Sequence, residues 1–144
     1  MRQVGHKPDP SFLIPFPSGW RVFTVPMTYS HLITALMAVE TGGHRNPDLA
    51  IGDGGRAIGA LQIHRSVVED VNRFAGTHYS WKGMTNRADA RRVCDLYLQR
   101  YAKGRSMEDA ARIWNGGPSG HLKPSTEAYW AKVQRNMNHN IAKN

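Results

Sequence analysis

SHLITALMAVETGGHRNPDLAIGDGGRAIGALQI, residues 30–63, changes its periodicity halfway, and that change decides the fold. From Ser30 apolar residues recur at helical spacing, with Leu32, Ile33, Leu36 and Met37 on one stripe and Gly42-Gly43 as a stop. Between Ala50 and Ile63 the glycines, an Asp53-Gly54-Gly55 turn and short apolar alternation predict a small hairpin or three-stranded sheet. Glu40 stands where the helical stripe requires another apolar residue, four after Leu36 and three after Met37.

Downstream of the sheet the helical period returns. HRSVVEDVNRFAG (64–76), NRADARRVCDLYLQRYAKG (86–104), MEDAARIWN (107–115) and STEAYWAKVQRNMNHN (125–140) each carry an apolar stripe opposite a charged face. The fold class expected is α+β and mainly α, a helical domain with one small antiparallel β element. At 144 residues and 40% hydrophobic content there is material for one core. We divide the chain into an irregular arm over 1–27 and a folded domain over 28–144. The arm holds prolines 8, 10, 15 and 17 among Phe12, Phe16, Trp20 and Phe23, and it is expected to lie packed on the domain.

The same arm offers only a five-residue apolar run, shorter than the roughly 7 to 15 residues of a secretory h-region, so no signal peptide is expected. No stretch approaches the roughly 20 apolar residues of a membrane span. Cys94 is the single cysteine and closes no internal disulfide. The seven histidines are scattered, without HExxH or paired CxxC spacing, so neither metal nor cofactor is expected. The formal charge of +8 favours an anionic partner. Residues 81–105 concentrate it, with Lys82, Arg87, Arg91, Arg92, Arg100, Lys103 and Arg105 against Asp89 and Asp95.

Glu40 carries the chemistry. A carboxyl on the core side of a helix is partly desolvated and, at the helix C-terminus, faces the negative end of the dipole; both favour the protonated form that a general acid needs. The plainer alternative is a last-turn Glu reaching into water. Asp53 follows in the glycine-rich turn, and paired carboxylates serve glycoside cleavage, although Asp before Gly-Gly also suits a turn by itself. Gln62, between Leu61 and Ile63, is expected on the opposite sheet face, offering its amide to a sugar or peptide or simply to solvent. Trp114-Asn115-Gly116-Gly117-Pro118 ends a helix with an indole face and glycines that suit a sugar ring, or else forms a helix cap over a core tryptophan.

In order and spacing these pieces resemble the lysozyme-like superfamily, which includes goose-type and invertebrate-type lysozymes and the soluble lytic transglycosylases. Glu40-Thr41-Gly42-Gly43 is similar to the family's catalytic Glu followed by a small hydroxyl residue. Gly59-Ala60-Leu61-Gln62-Ile63 resembles its Gly-x-x-Gln-Ile/Leu element, and Ile113-Trp114-Asn115-Gly116-Gly117-Pro118 its aromatic-Asn-x-Gly element. Tyr129-Trp130 is similar to the tyrosine and apolar pair near the catalytic Glu of the transglycosylases. The resemblance runs over about residues 30–137 and leaves 1–27 unmatched. Gly59-Ala60-Leu61-Gln62 departs from the Gly-Leu-Met-Gln common in transglycosylases. The added IGDGGRAI hairpin is closer to the invertebrate-type pattern, which includes an Asp near the position of Asp53.

The resemblance implies a lysozyme-like helical domain with its hairpin beside an active-site cleft. It implies cleavage of peptidoglycan glycan strands, with Glu40 as general acid, Asp53 as second carboxylate, and Thr41, Gln62, Ile63, Trp114, Asn115, Gly116 and Tyr129 at the substrate. One alternative in this class is a lytic transglycosylase forming 1,6-anhydro ends; a non-catalytic wall-binding module is an alternative from another class. Also from another class, the basic stretch and short helices suit a nucleic-acid-binding domain. Peptidoglycan is the expected partner, nucleic acid the less expected one, and a monomer the expected state. A leaderless lytic enzyme made in the cytoplasm suits a phage lysis protein, or a bacterial one delivered to the wall by release or an unusual export route.

Overall fold

Two short strands, β1 (Phe12–Ile14) and β2 (Phe23–Val25), pair antiparallel, with Phe12 opposite Val25 and Ile14 opposite Phe23. The computed structural model describes residues 12–14, 23–25 and 28–142, so two segments of the arm expected to be irregular are strands, while its expected packing on the domain, with Phe16 and Trp20, lies outside the described residues. From residue 28 onward the helices are α1 (Ser30–Thr41), α2 (Arg65–Ala75), α3 (Arg87–Tyr101), α4 (Met107–Gly116) and α5 (Glu127–Ala142). Between α1 and α2 lies the predicted three-stranded antiparallel sheet, β3 (Ile51–Gly52), β4 (Ala57–Ile58) and β5 (Ile63–His64), in that order. No helix among the described residues is long and apolar enough to cross a membrane.

Local signals account for the helix ends. The Asn86 side chain accepts the Asp89 N–H at the start of α3, and Ser106 does the same for Asp109 at the start of α4, where Glu108 and Asp109 also complement the helix dipole. Gly76 closes α2 in the left-handed conformation that a Cβ disfavours.

The core joins Leu32, Ile33 and Leu36 of α1 to Val68 and Val71 of α2, Val93 and Leu98 of α3, Ile113 of α4 and Val133 of α5, with Leu61 and Ile63 from the sheet region. α3 is less amphipathic than its sequence suggests. Arg92 and Asp95, which read as part of a solvent-facing basic stretch, are 2% and 0% exposed. They are tolerated there because each has partners. Arg92 Nη1 lies 3.1 Å from Asp95 Oδ2, and Asp95 Oδ1 accepts the backbone N–H groups of Thr28 (3.0 Å) and Tyr29 (3.1 Å). The residue at the N-cap of α1, Tyr29, makes no side-chain capping bond, so a carboxylate from α3 supplies the cap instead. Neighbouring cations are also committed to structure. Arg91 reaches the Ser30 carbonyl in the first turn of α1, and Arg87 pairs with Asp48.

The sheet shows why glycine opens the Gly-Ala-Leu-Gln element. Gly59 has φ 82°, and a Cβ there would fall 2.1 Å from the Met84 carbonyl oxygen. Gln62 ends the same turn at φ 51°, outside the strand, so its side chain does not follow strand alternation as the sequence reading expected. Its amide Nε2 donates to the carbonyls of Gly59 (3.0 Å) and Ala50 (3.2 Å), tying two turns of the sheet together.

Candidate active site

α1 seats its apolar ridge in the core, and one turn beyond Leu36 the same face brings Glu40 to the edge of that core. Burial pushes the Glu40 carboxyl pKa above its ordinary value. One contact opposes this: the Tyr129 hydroxyl of α5 donates to Glu40 Oε2 at 2.8 Å, which stabilises the ionised form, but the effect of burial is larger. The Tyr129 phenol is itself pushed far above its usual range by burial and by the Glu40 charge, so it remains a donor. The buried Cys94 thiol is also pushed up by burial and stays neutral.

Glu40 opens onto a groove whose sheet wall is formed by Asp53, Ala57, Gln62, Ile63 and His64, with Val67 from α2 and Trp114 and Asn115 from α4. Asp53 sits at the tip of the β3–β4 hairpin, where Asp53, Gly54 and Gly55 all have positive φ. Its Oδ1 accepts from Arg56 Nη2 at 3.0 Å, and its Oδ2 lies 3.2 Å from His64 Nε2. Trp114 is half-buried, its ring edge-to-face with Tyr97 at 5.6 Å between centroids. Asn115 is exposed beside it.

Glu40, Asp53, Gln62, Ile63, Trp114 and Asn115, separated by up to 75 positions in the chain, thus meet at one groove, and Tyr129 joins them through Glu40. Thr41 and Gly116 take other places. Thr41 is 2% exposed and its hydroxyl reaches the Ala60 carbonyl at 2.8 Å, so it links the end of α1 to the sheet. Gly116 packs where a Cβ would come 2.7 Å from the Thr126 methyl, and its carbonyl accepts from Lys123 Nζ, so it allows close packing within the protein. The sequence reading did not single out His64, Arg56 or Val67. For His64 the signal is strand register, which sets it opposite Ala57 and Ala57 opposite Gly52. Among the described residues no group of three His, Cys, Asp or Glu side chains is placed to hold a metal ion.

No family model matches the chain. Lysozyme 1 of Crassostrea virginica is 36% identical over 83 residues, 54% of this chain but 44% of that protein, so the match spans less than half of that relative's length. The lysozyme of Meretrix lusoria is 33% identical over 98 residues, 65% of this chain and 78% of that protein. In solved structures, a chain from the crystal structure of Aeromonas hydrophila PliI in complex with Meretrix lusoria lysozyme matches with a TM-score of 0.63 at 30% identity. That match covers 78% of this chain and 93% of the other.

Proposed function

The chain belongs to the lysozyme-like superfamily, and from that premise we propose that it cleaves peptidoglycan glycan strands between N-acetylmuramic acid and N-acetylglucosamine, with Glu40 as general acid. The observation that carries this reading is the half-buried Glu40 carboxyl, raised in pKa, held through one oxygen by Tyr129 and opening onto a groove with a second carboxylate in its wall. With Oε2 occupied by the phenol, Oε1 is the atom left to deliver a proton to the glycosidic oxygen. Asp53 then stabilises the oxocarbenium-like centre, or attacks it, and water completes hydrolysis. Gln62 supports this wall through its turn bonds, and Trp114 and Asn115 supply an indole edge and an amide to the sugar.

Lytic transglycosylation is the second reading, favoured by the Tyr129–Glu40 bond, since a tyrosine near the acid is the feature shared with that branch. There Glu40 acts as acid and then as base, and the substrate's own hydroxyl closes the 1,6-anhydro ring. Mass analysis of muropeptides from purified walls separates the two. Hydrolysis is expected to leave reducing ends, whereas products lighter by one water would assign the second reading and remove Asp53 from catalysis.

Tyr129→Phe tests the acid. The phenol stabilises the ionised carboxylate, so its removal raises the Glu40 pKa further, and the alkaline limb of the pH–rate profile is expected to move to higher pH. A limb that stays fixed or moves downward would show that this carboxyl does not govern the rate.

A further inference from the structure

The catalytic reading of Asp53 places a carboxylate on a turn with little to hold it. β3 and β4 are two residues each, and the tip between them carries glycines at 54 and 55 with no side chains to pack. Catalysis at a sugar carbon requires the carboxylate within about 0.5 Å of its working position. Something outside the turn must set it there.

Among the described residues two side chains, Arg56 and His64, lie against the carboxylate, and they differ in what stands behind them. Arg56 belongs to the same turn, three residues on, and its side chain is 74% exposed; it also bonds the Asp53 carbonyl through Nε at 3.0 Å. It therefore moves with the turn, and an exposed pair of this kind contributes little on its own. His64 is anchored elsewhere. It is the last residue of β5 and the residue directly before α2, with extended backbone at φ −84° and ψ 153°. Pairing places Gly52, Ala57 and His64 in one row across the sheet. The residue between the partners is alanine, whose small side chain leaves the imidazole free to span the row and meet Asp53 Oδ2 at 3.2 Å. The contact sets the edge of the imidazole against the carboxylate. Each carboxylate oxygen keeps a further lone pair for the substrate.

We propose that His64 is a positioning residue that ties the tip of the β3–β4 hairpin to the β5–α2 junction and so holds the Asp53 carboxylate in the groove. The proposal rests on the reading in which Asp53 acts at the scissile sugar. His64 itself needs no contact with the reacting atoms; its contribution is to the geometry of the group beside them.

The test compares His64→Ala, His64→Gln and Asp53→Asn in the full chain, using soluble oligosaccharides of the glycan strand for kcat and KM and whole walls for lysis. A glutamine amide reaches about as far as Nε2 and offers an N–H to the carboxylate, but has no imidazole to exchange protons. We expect His64→Ala to lower kcat by about 10- to 100-fold, as loss of alignment does, with KM and Tm little changed. His64→Gln should recover activity to within about threefold of wild type by restoring that alignment. The double variant His64→Ala/Asp53→Asn should be no slower than Asp53→Asn, because both changes remove one function. Full activity in His64→Ala with an inactive Asp53→Asn would overturn the proposal and leave the Asp53 reading standing. Full activity in Asp53→Asn would overturn both. A His64→Gln variant as slow as His64→Ala would show that the imidazole transfers a proton itself, which also overturns a purely positioning role.

Discussion

Glu40→Gln is expected to lower the rate of wall lysis by about 10²- to 10⁴-fold, the usual contribution of a positioned acid, while wall binding is retained. Glutamine keeps the shape and can still accept the Tyr129 hydroxyl, so the variant loses the proton and little else. Its stability gives a second readout with a definite sign. A group whose pKa is raised in the folded state favours folding while protonated, and that contribution is lost as the pH rises through the folded pKa. Ionised Glu40 therefore opposes folding at neutral and alkaline pH, and the uncharged variant should melt higher there. The difference should vanish in acid, below about pH 4, where the wild-type side chain is neutral in both states. Equal lysis by the variant would remove Glu40 from its role. A binding module without catalysis would give no lysis from either protein, and salt-sensitive DNA binding without lysis would point to the nucleic-acid alternative.

Asp95→Ala is the substitution expected to damage the fold most. It leaves Arg92 in the interior without its carboxylate and uncaps the Thr28 and Tyr29 N–H groups at the start of α1. Breaking one side of a buried pair costs about 3–5 kcal/mol, which in a domain of this size lowers Tm by roughly 10 °C or more. Asp95→Asn keeps an acceptor for the two N–H groups and should lose less. Thermal and denaturant unfolding measure both. A loss under about 1 kcal/mol for the alanine variant, the size of an exposed pair, would mean that the pair and the cap contribute little. The consequence reaches the active site, since the helix that Asp95 anchors at one end carries Glu40 at the other.

Much of this arrangement is legible in the order of residues. The helical stripe from Leu32 to Met37 predicts α1, and the glycine-rich alternation from Ala50 to Ile63 predicts the three strands. Four later stripes predict α2 to α5, and Glu40 is conspicuous because it interrupts an apolar stripe. All of these are local signals, in which the period of the pattern is the period of the backbone. Gln62 shows where that logic ends: a positive φ at one residue takes its side chain out of the strand alternation around it. Thr41 and Gly116 stand beside groove residues in the chain but pack inward, because Ala60 and Thr126 approach from elements far along it.

From Ser30 onward the sequence by itself determined the main element types, the breaks between them and the presence of an acid on an apolar face, since each depends on neighbours within a few positions. Tertiary packing alone decided that Tyr129 meets Glu40 across 89 residues, that Arg92 and Asp95 are interior, and that His64 joins Arg56 at the Asp53 carboxylate. Those contacts depend on how helices and hairpins approach one another, and the free energy that selects one approach is summed over the whole core instead of being written in any single segment.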